Sequence, residues 1–247
     1  MALKTILNYS PNFNPKKRKS KQIKFIIFHY TGMKRELEAI NKLTNIQSEV
    51  SSHYLIKTNG NIITLVPDLY VAWHAGKSSW KSYKSLNQNS IGIEITNPGH
   101  EFGYKKFSKK QISSLLKLSK FLIKKYKINS KNILGHSDIA PQRKKDPGEK
   151  FPWEYLSKNK IGLWHTLKNQ ELTKNRNLKI NKLEEKFFFN NLFKIGYSKK
   201  KRKGTSHDRF LRDVTKAFQR RFRQELVNGK IDRECLLISK NLLKKYD

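Results

Sequence analysis

The order in which short apolar runs alternate with helical patterns between residues 22 and 135 confines this chain to a layered α/β fold. IKFIIF, inside the segment Gln22 to Tyr30, is a continuous apolar run of strand length. Arg35 to Gln47 has helical spacing. In HYLIKTNGNIITLV, from His53 to Val66, two β-rich runs flank Asn59 and Gly60, the pair a type I′ turn prefers, so a hairpin is predicted. Ser90 to Asn97 sets Ile91, Ile93 and Ile95 on one face and Gly92 and Glu94 on the other, a strand whose second face meets something polar. From Ser108 to Tyr126 the residues Ile112, Leu115, Leu116, Leu122 and Ile123 recur at helical spacing, and Ser108 with Gln111 resembles a capping box. NILG, ending at Gly135, reads as one more short strand. Strand, helix, hairpin, strand, helix, strand is the order of a mixed central sheet flanked by helices.

The ends read differently. Residues 1–21 form a basic Pro/Asn/Lys-rich arm, and 166–180 are polar and without periodicity, which predicts a linker. Beyond it come three helical patterns, around Leu183 to Phe193, His207 to Leu226 and Asp232 to Tyr246. The middle one carries Phe210, Leu211, Val214, Phe218, Phe222 and Leu226 on one stripe. The expected division is an α/β unit over 1–165, a linker over 166–180 and a small all-α unit over 181–247. With 247 residues and 36% hydrophobic content the chain can furnish a real core. No run of about 18 apolar residues occurs, so no transmembrane segment is expected. The start turns polar after Leu7, too soon for a signal peptide's apolar region, so the expected location is cytoplasmic, with the periplasm or cell envelope as the alternative.

Cys235 is the only cysteine, which excludes an internal disulfide and a thiolate-built structural zinc site. What remains for metal chemistry is His29 at the end of the first strand, with His136 and Asp146 in GHSDIAPQRKKDPG. Two imidazoles and a carboxylate, with a fourth position left open, are the donor set of a catalytic zinc. Glu94 stands on the polar face of an otherwise apolar strand, where a carboxylate is costly unless it faces a cleft or a partner. The formal charge of +34, from 53 Lys plus Arg against 19 Asp plus Glu, makes an anionic partner expected. Nucleic acid is a candidate through charge alone, because the lysines are spread over the whole chain.

IIFHYTG, SSHYLI, AWHAG, IGIEI and GHSDIAPQRKKDPG, in that order between Ile23 and Trp153, resemble the zinc-dependent N-acetylmuramoyl-L-alanine amidases of the type-2 class, which also resemble peptidoglycan recognition proteins. The resemblance implies Zn2+ held by His29, His136 and Asp146. It makes Glu94 the acid/base that takes a proton from the attacking water and hands it to the leaving amine. Lys144 would steady the oxyanion. Tyr30, Trp73 and His74 become groove residues, with Trp73 and Trp80 available to stack on sugars. His53 is expected to be structural and Asp138 to orient a ligand, while His100, His165 and His207 have no assignment. The implied reaction is hydrolysis of the amide between N-acetylmuramic acid, or its anhydro form, and the L-alanine of the stem peptide, in peptidoglycan or muropeptides. A non-catalytic recognition module is the first alternative, and its mark, a missing zinc ligand, is absent here.

The C-terminal stretch from about Asn181 to Lys244 resembles a three-helix peptidoglycan-binding domain, through Gly196, Tyr197, Ala217, Phe218, Gln219, Gly229 and Asp232. Cys235 replaces that domain's usual threonine, and the insert SKKKRKGTSH is unusually basic. Arg220, Arg221 and Arg223, crowded into one turn, offer the competing reading of a nucleic-acid-binding helix.

Overall fold

A computed structural model describes residues 4–246. Strands β1 (Ile6–Leu7), β2 (Phe13–Asn14) and β3 (Phe25–Tyr30) precede helix α1 (Glu36–Thr44). Next come the hairpin strands β4 (Tyr54–Ile56) and β5 (Ile62–Thr64), then β6 (Val71–Ala72), a small ribbon of β7 (Ser79–Trp80) and β8 (Tyr83–Lys84), and β9 (Ser90–Ile95). Helix α2 (Lys109–Tyr126), strand β10 (Ile133–Gly135) and the one-turn α3 (His136–Ile139) lead to α4 (Trp153–Lys158) and α5 (Asn169–Asn175). Helices α6 (Lys182–Ile195), α7 (His207–Phe222) and α8 (Arg233–Tyr246) complete the described chain.

The predicted mixed sheet is present, six strands in the order β1-β5-β4-β9-β3-β10. Strands β4, β9, β3 and β10 are parallel to one another, and β5 runs antiparallel to β4. On one face Ile26 and Phe28 of β3 and Ile91, Ile93 and Ile95 of β9 pack against Leu115, Leu118 and Leu122 of α2. The predicted capping box starts that helix: Ser108 Oγ accepts from the Gln111 N–H at 3.2 Å, and Gln111 Oε1 accepts from the Ser108 N–H at 2.9 Å.

The hairpin turn is not type I′. That turn needs positive φ at both central residues, but here only Gly60 has it, at +88°. The Gly60 N–H donates to the Lys57 carbonyl and the Asn61 N–H donates to Asn59 Oδ1, closing a three-residue loop. Gly60 is required for a second reason, since a Cβ there would lie 2.9 Å from the Lys110 carbonyl oxygen.

The other sheet face departs from the expectation of two units joined by a linker. Phe25 and Ile27 of β3, Leu134 of β10, Ile139 and Trp80 share one continuous apolar interior with Phe188, Leu192, Val214, Phe218, Ile238 and Leu242 of α6 to α8. Residues 166–180 include α5, whose Leu172 is buried in the same interior. A single apolar anchor in a polar stretch leaves no periodicity to read. The basic arm is also built in: Ile6–Leu7 pairs with β5 and Phe13–Asn14 with β6, while residues 1–3 of the arm lie outside the described residues. Arg18 is buried and donates to the carbonyls of Asp68, Asn87 and Gln88.

Charged side chains cross between the sheet and the helices. Arg221 Nη1 donates to Asp138 Oδ2 at 2.6 Å, Arg221 Nη2 to the Ile133 carbonyl at 2.9 Å, and the Tyr197 hydroxyl to Asp138 Oδ1 at 2.8 Å. The guanidinium also lies over the Trp153 ring, 4.4 Å from its centroid. Arg223 pairs with Asp232. Arg220, Arg221 and Arg223 are 9%, 1% and 1% exposed, so this basic turn offers nothing to a nucleic acid backbone. Periodicity did not reveal this because Arg221 and Arg223 neutralise carboxylates inside the fold, and those partners come from other segments. No helix among the described residues is long and apolar enough to cross a membrane.

Candidate active site

Strand register brings the first two chemical groups together. His29 on β3 stands directly opposite Glu94 on β9, as Ile27 stands opposite Gly92, so both side chains leave the same face at the carboxyl ends of parallel strands. The adjacent strand β10 ends at Gly135 and turns at once into α3, whose first residue is His136. Asp138 ties this corner by accepting from the Gly135 N–H at 2.8 Å. The Ser137 N–H donates to the Asp146 carbonyl at 2.8 Å, folding the rest of the loop back so that Asp146 faces the strand ends.

His29 Nδ1, His136 Nδ1 and Asp146 Oδ2 form a triangle with sides of 2.9, 3.0 and 3.0 Å. All three residues are buried. Ligands at about 2.0 Å around a tetrahedral ion are separated by about 3.3 Å, close to these sides. His136 Nε2 lies 3.2 Å from the Ala75 carbonyl oxygen and 3.3 Å from Arg143 Nη2, and its Nδ1 is the nitrogen that faces the triangle. The donor chemistry therefore fits a divalent cation. Burial and the neighbouring His136 push the His29 imidazole down to about 4. Burial alone would raise the Asp146 carboxyl, but the two histidines hold it well below the usual range.

Glu94 has one oxygen, Oε2, sealed from water with no hydrogen-bond partner. Burial, and then the charge of Asp146, push its carboxyl up to about 8. Such a group exchanges a proton near neutrality. Lys144 reaches the same cleft from the loop before Asp146, and the basic rim is completed by Lys42, Arg143 and Lys145. The cleft holds about 340 Å³ and is also lined by Tyr30, Trp73, His74 and His100.

Of the predicted groove residues, Tyr30 and Trp73 lie on the cleft wall, with Trp73 Nε1 donating to Asn14 Oδ1 at 2.8 Å. His74 sits deeper, 8% exposed, with its Nδ1 3.0 Å from His29 Nε2. His53 is structural as expected: its Nδ1 accepts from the Gly92 N–H at 3.0 Å. Trp80 is not in the cleft. It is 1% exposed and packed on Gly196 and Tyr197, so it stacks on no sugar. His100, which carried no motif, lines the cleft with its Nδ1 2.9 Å from the Tyr30 hydroxyl and its Nε2 3.0 Å from Glu149 Oε2. No spacing signal marks it, because its partners come from distant segments.

These features define the class of molecule. The description of the N-acetylmuramoyl-L-alanine amidase family matches residues 19–149, and the chain belongs to that family of hydrolases. Among its relatives, the N-acetylmuramoyl-L-alanine amidase AmiD of Escherichia coli (strain K12) is 36% identical over 237 residues, covering 91% of this chain and 84% of that protein. The 1,6-anhydro-N-acetylmuramyl-L-alanine amidase AmpD of Haemophilus influenzae is 42% identical over 113 residues, covering 45% of this chain and 59% of that protein. The structure of Escherichia coli AmiD in complex with the substrate anhydro-N-acetylmuramic acid-L-Ala-D-gamma-Glu-L-Lys superposes with a TM-score of 0.79, over 91% of this chain and 90% of that one. AmpDh3 from Pseudomonas aeruginosa in complex with anhydromuramic pentapeptide superposes with a TM-score of 0.77 at 30% identity, over 94% of each chain.

Proposed function

We propose that this protein hydrolyses the amide between N-acetylmuramic acid, or its anhydro form, and the L-alanine of a stem peptide, with Zn2+ held by His29, His136 and Asp146. The observation that carries the reading is the convergence of three donor atoms beside a carboxyl group one strand away. When bound, zinc supplies Lewis-acid polarisation of the scissile carbonyl and of the attacking water. Glu94 takes a proton on its other oxygen, Oε1, as water attacks and returns it to the departing alanine nitrogen, a task suited to a carboxyl that titrates near neutral pH. Lys144 donates to the carbonyl oxygen as it gains charge. Lys42 and Lys145 on the rim favour the carboxylates of a stem peptide.

The likeness to AmiD and AmpDh3, both solved with anhydro-muropeptides, supports a muropeptide substrate. Tyr30 and Trp73 line the cleft, which supports their contacting it. The shared interior of α6 to α8 with the sheet supports a helical unit that is part of the catalytic fold. The test is digestion of purified anhydro-muropeptides by the full chain, untreated, after chelation, and after Zn2+ repletion, with products read by mass spectrometry. The reading requires release of the free stem peptide, its loss on chelation and its return with Zn2+. Intact substrate after repletion would overturn it.

A further inference from the structure

Behind His29 the hydrogen bonds run in one direction and end on the nitrogen that faces His136 and Asp146. Ser90 Oγ lies 2.6 Å from the Leu86 carbonyl oxygen. A carbonyl only accepts, so the single hydroxyl proton of Ser90 is committed there. Ser90 Oγ therefore accepts at its other contact, His74 Nε2 at 3.0 Å, which places the His74 proton on Nε2. His74 Nδ1 is then a bare acceptor, and its partner is His29 Nε2 at 3.0 Å. The His29 proton must be on Nε2, and Nδ1 is left with a free lone pair toward the triangle.

The sequence builds a slot for this chain of groups. Ser90, His74 and His29 are 0%, 8% and 1% exposed, so water does not compete for their protons. The His74 ring rests on Gly92, where a Cβ would lie 2.4 Å from its Cγ, so any larger residue displaces the ring. Asn87 Oδ1 accepts from the backbone N–H groups of His74 and Ala75, at 3.2 and 2.7 Å, and fixes the main chain that carries it.

We infer that Ser90 and His74 are positioning residues that lock His29 in its Nε2–H form and so present Nδ1 to a divalent cation. The inference rests on the metal site proposed above and adds how one of its ligands is prepared. Without an acceptor at His74 Nδ1, the His29 proton moves onto the nitrogen facing Asp146 and must be expelled before a cation binds. Outer partners of metal-bound histidines typically change metal affinity by about 10–100-fold.

The test uses the full chain without metal, at neutral pH, and Zn2+ alone as probe. Long-range 1H–15N NMR of the histidine rings reads the proton positions directly, and both His29 and His74 are expected as Nε2–H. Competition with a chromophoric chelator then measures Zn2+ affinity. Ser90→Ala and His74→Leu should each weaken it by about 10-fold or more. His74→Asn, whose amide oxygen takes the place of Nδ1, should stay near the unmodified protein. A proton on His29 Nδ1 in the unmodified protein overturns the inference, and so does unchanged Zn2+ affinity in both Ser90→Ala and His74→Leu. If the unmodified protein takes up no Zn2+, the metal-site reading has failed instead, and the spectrum still decides where the protons lie. Should Ser90→Ala not fold, the spectrum of the unmodified chain and the contrast between His74→Asn and His74→Leu decide.

Discussion

Replacing Arg221 by Met tests whether the helical unit holds the loop of His136 and Asp146 in place. The substitution keeps much of the apolar stem but removes the ion pair to Asp138, the hydrogen bond to the Ile133 carbonyl and the stacking on Trp153. Both partners are at most 1% exposed, so Asp138 is left as a buried carboxylate short of its cation. Breaking such a pair from one side costs about 3–5 kcal/mol. Asp138 retains hydrogen bonds from the Tyr197 hydroxyl and the Gly135 N–H, which places the expected loss at the lower end, about 3 kcal/mol. For a chain of this size that lowers Tm by about 6–12 °C. The assay is thermal and urea unfolding of the single variants Arg221→Met and Asp138→Asn and of the double variant. Because the two side chains touch, the double variant should lose less than the sum of the singles, by about 1–3 kcal/mol. Additive losses, or an Arg221→Met protein that melts with the unmodified one, would refute the view that this pair joins the two parts.

Three further outcomes are expected. Glu94→Gln should lower kcat by about 10²–10⁴-fold while Zn2+ stoichiometry is retained, and activity near the original would remove Glu94 from the mechanism. Gly196→Ala should destabilise by about 1–3 kcal/mol, because φ is +147° and the added Cβ meets Trp80 at 2.4 Å; Gly204→Ala, also at positive φ (+78°) but with nothing within 4 Å, isolates the backbone part of the cost and should lose less in the same unfolding assay. Burial depresses His53 to about 3 and His165 to about 4, so both stay neutral in the fold while the unfolded chain takes up protons below about pH 6.5. Stability should therefore be full above that pH and fall as the pH drops towards 4, with a shallower fall in His165→Phe. Melting curves recorded between pH 7.5 and pH 4.5 check the sign, and a rise on acidification would contradict it.

How much was legible in the sequence depended on whether a residue acts through periodicity or through a distant partner. The alternation of Ile91, Ile93 and Ile95 with Gly92 and Glu94 placed Glu94 on a polar face, and the register with β3 puts it beside His29. Ser108 and Gln111 marked the start of α2 because a capping box is local. His29, His136 and Asp146 were named from motif chemistry, and they converge. Arg221 and Arg223 were open to misreading because their carboxylate partners, Asp138 and Asp232, give no spacing signal along the helix. His100 and Ser90 escaped for the same reason, each acquiring its place only when remote loops close around the cleft. Leu172 shows the limit of composition: one apolar residue in a polar stretch was enough to anchor a helix in the interior.

The pairing of His29 with Glu94 on neighbouring parallel strands has a consequence for how this scaffold can change. Their separation is dictated by the hydrogen-bonded spacing between adjacent strands, about 4.8 Å, and by nothing in the surrounding loops. Lengthening or swapping the segments that carry Tyr30's neighbours, Lys42 or His100 can redraw what the cleft admits without moving His29 and Glu94. The cleft walls are thus mechanically uncoupled from the two strand residues, and are free to diversify around a pair that stays put.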